Sequence, residues 1–107
     1  MKRASPDSAR SPFRVGTTRV AERALQREVE AWEQRNLVPS QLPDEYEAAV
    51  RNLATHPRLG FRMAGRRGHM RKLLLPHTGF VLLYRVAMRK RIVTIMNVLP
   101  KASIRHR

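Results

Sequence analysis

The stretch GHMRKLLLPHTGFVLLYRV, residues 68–86, decides the fold of this chain. It holds most of two apolar runs, and a third run follows it: MRKLLLP (70–76), FVLLYRVAM (80–88) and RIVTIMNVL (91–99). Runs of aliphatic, β-branched and aromatic residues bounded by turn residues are typical of strands. Gly79, between the first two runs, supplies the positive φ that a tight turn needs. The sequence therefore predicts three strands joined by two hairpins, which makes an antiparallel sheet.

The N-terminal half predicts two amphipathic helices that form a hairpin. One apolar stripe has residue spacings of four, four and three and consists of Ala21, Leu25, Val29 and Trp32. This period is that of a helix, capped at Thr17 or Thr18 and ending near Asn36, with Trp32 in the core. A second helix begins near Pro43 and ends in THPRLG (55–60).

A brief first strand is predicted over PFRVGT (12–17). The predicted order is β-α-α-β-β-β, an α+β fold in which the helical hairpin packs on one side of an antiparallel β-sheet. We expect a flexible basic tail over residues 1–12, a single domain over 13–100 and a basic C-terminal tail over 101–107. The chain has 107 residues, a length that fits one domain.

Composition limits where the protein works. No apolar stretch approaches the ~20 residues that cross a bilayer, and no apolar segment follows the basic N-terminus as in a secretory signal. There is no cysteine, so disulfides and thiolate metal sites are excluded. These features predict a cytoplasmic protein with no membrane partner.

Charge is distributed unevenly along the chain. All eight acidic residues precede residue 48, where eight Lys and Arg residues balance them. Residues 48–107 hold fourteen Lys and Arg residues and no acid, so they carry the whole net charge of +14. Such a field attracts polyanions and speeds their encounter, and it also suits an acidic protein partner.

The ordered set of these features resembles the RelE/ParE superfamily, the toxins of bacterial type II toxin–antitoxin systems. The resemblance spans about residues 13–100 and is carried by Pro57 and Gly60, Arg71, Gly79 with the aromatic after it, Tyr84-Arg85-Val86 and the final Val98-Leu99. It implies an antitoxin partner that wraps the toxin, and contact with promoter DNA indirectly, through that antitoxin.

Two activities are implied by the resemblance. RelE-like members cut mRNA in the ribosomal A site with a cluster of Lys, Arg, Tyr or His on the concave sheet face, whereas ParE-like members inhibit DNA gyrase. Lys72 lies where a RelE-type catalytic lysine would lie, but Leu74 and Val81 replace two further expected cations. The ending Val98-Leu99 is closer to ParE.

These differences favour a ParE-like toxin acting on gyrase. The alternative is a RelE-like, metal-independent endoribonuclease acting on mRNA at the ribosome. A third hypothesis is a non-toxic basic module that binds nucleic acid.

Candidate site residues follow from the charge and from the resemblance. In the RelE-like alternative the catalytic candidates are Arg71, Lys72, His69 and His77. The candidates for binding nucleic acid or another target are Arg66, Arg67, Arg71, Lys72, Arg85, Lys101 and Arg105. Tyr84 is expected in the core, because tyrosine rings are most often buried. The four histidines lack metal-ligand spacing, and no cofactor motif is present, so we expect neither a metal nor a cofactor.

Overall fold

The structure is a computed structural model that describes residues 12–65 and 68–103. Its elements are β1 (Arg14–Thr17), α1 (Arg19–Arg35), α2 (Leu42–Thr55), β2 (Phe61–Arg62), β3 (Met70–Leu75), β4 (Phe80–Ala87), β5 (Ile92–Pro100) and a 3₁₀ turn (Lys101–Ser103). The predicted N-terminal tail, except Pro12, lies outside the described residues, as do Arg66, Arg67 and Arg105.

The predicted α+β architecture is confirmed, with one difference in the sheet. The strands lie in the order β1-β5-β4-β3-β2. The β3–β4 and β4–β5 hairpins are antiparallel as predicted. However, β1 pairs in parallel with β5, and the two-residue β2 adds a fifth strand, so the sheet is mixed rather than antiparallel.

Local chemistry explains the ends of the helices. The hydroxyl of Thr18 accepts a hydrogen bond from the Ala21 N–H at 3.1 Å, which caps the first turn of α1. Proline occupies the first turn of α2, where its missing N–H would have no helical partner. Asp44 and Glu45 follow it and interact favourably with the positive end of the helix dipole.

The core lies between the two helices and one face of the sheet. Its large, fully buried side chains are Tyr84, Leu42, Leu53, Leu82, Ile95, Val93 and Val98. Alternate residues of β4 and β5 supply most of them, since successive side chains of a strand point to opposite faces. Tyr84 is in the core, as the sequence predicts.

Trp32 is the exception among the predicted core residues. Its side chain is 40% exposed, and its indole N–H donates to the Val38 carbonyl at 3.1 Å. The fully covered positions of α1 are instead Ala21 and Ala24, whose small side chains allow close packing. The prediction was wrong because periodicity identifies the inward face of a helix but not how much protein covers its last turn.

A β-bulge interrupts the alternation of β5. Leu83 pairs with Asn97 while the next residue, Tyr84, pairs with Ile95, so Met96 is the extra residue. The Thr18 hydroxyl donates to the Met96 carbonyl at 3.1 Å. A hydrogen bond therefore joins the start of α1 to the bulge.

Candidate nucleic-acid interface

The helices leave one face of the sheet uncovered. Because residues directly opposite each other in adjacent strands share a face, the register defines the side chains of this open face. They are Arg14, Phe61, Met70, Lys72, Leu74, Val81, Leu83, Arg85, Ala87, Ile92, Thr94, Asn97 and Leu99. The strand side chains of the main core cluster belong to the other face, although Val81 and Leu83 of the open face are also buried.

Two of the predicted cations lie together on the open face. Lys72 is half-buried in β3 and Arg85 is exposed in β4. Arg85 pairs with Met70, two residues from Lys72, so the two cations are diagonal neighbours with backbones about 7–8 Å apart. None of the open-face residues is acidic, so this pair makes a positive surface suited to phosphate.

An exposed aromatic residue lies beside these cations. Phe61 pairs with Lys72, and 77% of its surface is accessible. An aromatic ring next to a cation is a common platform for an unpaired base. Phe61 was not among the predicted site residues, because β2 has only two residues and shows no strand pattern, although an apolar residue directly after Gly60 was a usable signal.

The middle of the open face is apolar. Leu74 and Val81 are direct partners across β3 and β4, and they are the two positions where the resemblance leads one to expect further cations. Leu74 is 43% exposed, whereas Val81 is buried. The resemblance leads one to expect three cations at these positions of a ribonuclease site. In the described strands Lys72 is the one of the three that is present on this face.

Arg71 has a different location from Lys72. It pairs with Tyr84 and so belongs to the helix-covered face. Its guanidinium donates to the Gly60 carbonyl at 2.7 Å, and the Gly60 N–H donates to the Tyr84 hydroxyl at 2.7 Å. A Cβ at Gly60 would lie 2.5 Å from the Lys72 carbonyl oxygen, so only glycine fits this close approach.

These contacts form what we term the Gly60 clamp: Arg71 and Tyr84 hold the backbone of the α2–β2 connection. Burial raises the pKa of the Tyr84 hydroxyl, although the Gly60 hydrogen bond and the charge of Arg71 both act to lower it. The hydroxyl therefore stays neutral near pH 7. Arg71 is engaged in structure, and its predicted catalytic role stays a prediction.

The remaining candidates are dispersed. His69 precedes β3 and His77 follows it, so the two histidines lie at opposite ends of a strand about 20 Å long and do not form one site. Lys101 is exposed, and its N–H donates to the Gly79 carbonyl at 2.8 Å, which puts it at the His77 end.

The turn that contains His77 is anchored by Glu45. The carboxylate accepts the N–H groups of His77 and Thr78, at 2.8 and 2.9 Å, and the Thr78 hydroxyl at 2.7 Å. Partial burial acts to raise the pKa of Glu45, but the three hydrogen bonds outweigh it and the pKa is lowered. This carboxylate serves the fold and does not neutralise the open face.

A metal site and a membrane-spanning helix are both absent from the part of the chain that the structure describes. No group of three His, Cys, Asp or Glu side chains in residues 12–65 and 68–103 is placed to hold a metal ion. Within the same ranges, neither helix combines the length and the apolarity that crossing a membrane requires.

Comparison with solved structures defines the fold class. The RelBE2 toxin–antitoxin complex of Mycobacterium tuberculosis matches with a TM-score of 0.64 and 23% identity, over 87% of this chain and 95% of that one. The intact RelBE complex of E. coli matches at 0.62 and 15% identity, over 82% and 95%. The RelE–RelB complex of Pyrococcus horikoshii matches at 0.61 and 15% identity, over 87% and 99%.

The protein thus has the fold of RelE toxins, as the resemblance to the RelE/ParE superfamily predicts. No protein-family model matches the sequence, and no curated protein is detectably similar to it. The likeness is carried by the arrangement of the helices and strands.

Proposed function

We propose that this protein is the growth-arresting toxin of a type II toxin–antitoxin pair and that it acts on RNA in the manner of RelE. The observation that carries the proposal is the open face, where Phe61, Lys72 and Arg85 combine an exposed ring with two cations and no carboxylate. The match to RelE along nearly the whole chain supports it.

The side chains would divide the work on RNA as follows. Arg85 binds a backbone phosphate, and Phe61 stacks on an adjacent base. Lys72 lies between them and stabilises the negative charge that develops on the phosphate during cleavage. Its half-buried position strengthens this interaction, because water screens the charge less than at a fully exposed site.

Gyrase inhibition, which the sequence favoured, becomes the second candidate. The three solved neighbours are RelE proteins, which favours the RelE-like alternative. The apolar Leu74–Val81 pair is the observation that still suits a toxin that only binds its target. In either case we expect a cognate antitoxin, and the neighbours are solved as complexes with theirs.

Induced expression in a bacterium tests the proposal. We expect growth arrest with codon-phased mRNA cuts by primer extension, and we expect Lys72→Ala to lower cleavage by about 100- to 1,000-fold, as loss of one transition-state donor does. Arg51→Ala is the matched control, because Arg51 is exposed on α2, on the covered side of the sheet, and should leave cleavage unchanged.

Other outcomes would contradict the proposal in distinct ways. Lost plasmid supercoiling or gyrase-linked DNA breaks with intact mRNA would replace it with gyrase inhibition. Normal growth on induction, together with salt-sensitive binding of bulk nucleic acid by the purified protein, would leave a simple basic binding module.

A further inference from the structure

A shallow depression lies beside the α2–β2 connection. This connection and the β4–β5 turn border it, and its volume is about 380 Å³. We term it the Leu59–Met88 depression, and its lining is His56, Pro57, Arg58, Leu59 and Met88. Leu59 is 49% and Met88 46% exposed, so two large apolar side chains face solvent in a single hollow.

The Gly60 clamp fixes the backbone that lines one side of this depression. Gly60 is fixed by Tyr84 and Arg71, and the Arg71 guanidinium also donates to the Arg58 carbonyl at 3.4 Å. The Leu59 N–H donates to the His56 carbonyl at 3.1 Å. Leu59 is therefore presented on a backbone that is already rigid, which lowers the entropy lost when a partner binds.

The rim of the depression is positive. Arg58 belongs to its lining, and Arg89 and Lys90 follow Met88 in the exposed β4–β5 turn. The sequence places no acid between residue 48 and the C-terminus. An apolar floor with Arg58, Arg89 and Lys90 beside it is complementary to an apolar side chain flanked by carboxylates.

We propose that the Leu59–Met88 depression is a docking site for an acidic segment of the antitoxin that inserts one large apolar side chain between Leu59 and Met88. This inference rests on the proposed function, because it assigns the partner of that function to a site. Methionine suits such a site, since its flexible thioether adapts to the shape of an inserted group.

The chemistry of the floor favours protein over nucleic acid as the occupant. Bases are held by stacking on aromatic rings or on guanidinium planes beside them. The floor consists of the aliphatic Leu59 and the thioether of Met88, which offer a base no planar group, so that the His56 ring and the Arg58 guanidinium are the planar groups of the lining. Phe61, the exposed ring near the clamp, is on the open face instead.

Titration of the purified protein with the product of the reading frame adjoining its gene tests this site. We expect Leu59→Glu and Met88→Glu each to weaken binding by about ten- to a hundredfold, because each loses an apolar contact and adds repulsion with the acidic segment. Val20→Glu is the control, because Val20 is also an exposed apolar residue, at 61%, and lies on α1 outside the depression. Circular dichroism of each variant checks that it is folded.

The outcomes separate the two proposals. If the adjoining product does not bind the wild-type protein, the antitoxin assignment itself fails. If it binds and both Glu variants bind as the control does, the docking site is wrong while the proposed function stands. If the variants lose affinity for a 20-nucleotide single-stranded RNA and keep it for the protein, the occupant is nucleic acid and the inference is overturned.

Discussion

Removing one oxygen atom from Tyr84 tests the Gly60 clamp directly. Tyr84→Phe keeps the ring, which is completely buried, and deletes the hydroxyl that accepts the Gly60 N–H at 2.7 Å. Gly60 is itself buried, so its N–H is left without a partner where water does not reach. An orphaned buried donor costs about 1–3 kcal/mol. We therefore expect the free energy of unfolding to fall by about 2 kcal/mol.

Thermal and urea unfolding measure this loss. For a domain of this size each kcal/mol lowers Tm by about 4–8 °C, so the expected decrease is roughly 8–16 °C. Tyr46→Phe is the matched control, since it also deletes a tyrosine hydroxyl. The partner of that hydroxyl is the Thr17 hydroxyl at a part-buried site, where a water molecule can take the place of the lost group, so the loss of stability should be smaller. A Tyr84→Phe protein as stable as wild type, with the Gly60 amide equally protected from hydrogen exchange, would refute the reasoning.

The other stability predictions concern the turn between β3 and β4. Glu45→Gln should lower the free energy of unfolding by about 1 kcal/mol at pH 7. This is less than the usual contribution of hydrogen bonds to a charged group, because Glu45 is partly exposed to solvent. Because the folded-state pKa of Glu45 is below its ordinary value of 4.5, its contribution is complete above that pH and is lost as the pH falls through the folded pKa. In urea unfolding, the difference in the free energy of unfolding between wild type and variant should therefore decrease in acid. A difference independent of pH would be inconsistent with this role. Gly79→Ala, at a φ of +79°, should cost about 1–2 kcal/mol, whereas Gly16→Ala, with open space around its Cβ, should not destabilise the fold. Equal unfolding midpoints for the two alanine variants would show that the turn does not need the left-handed backbone.

Much of the architecture could be predicted from local patterns. Runs of β-forming residues bounded by turn residues identify β3, β4 and β5, and a period of about 3.6 residues identifies both helices. The parallel pairing of β1 with β5 could not be predicted in this way, since it depends on chain ends that meet only in the folded state. The bulge at Met96 was also hidden, because the residues around it are almost all apolar and show no period of two that a bulge would interrupt. The bulge exchanges the faces of Asn97, Val98 and Leu99 relative to a regular strand.

The candidate site was predictable in part. Lys72 and Arg85 were found from charge and resemblance, and the register brings them together on one face. Arg71 was not separable from Lys72 in the sequence, since two adjacent cations on a strand differ only in the face that each occupies. The structural role of Arg71 depends on its hydrogen bond to the Gly60 carbonyl, and Gly60 lies in the α2–β2 connection, outside β3.

The parallel β1–β5 pair also governs when the protein can fold during its synthesis. Thr18 and Met96, which join α1 to the bulge, are 78 residues apart. At about 5–20 residues per second, a ribosome needs roughly 4–16 s to make the intervening chain. Until β5 emerges from the ribosome, β1 has no strand to pair with and the Thr18 hydroxyl has no Met96 carbonyl to bind. A protein proposed to arrest growth therefore lacks its finished sheet for most of its own translation, and the proposed antitoxin has that interval in which to accumulate.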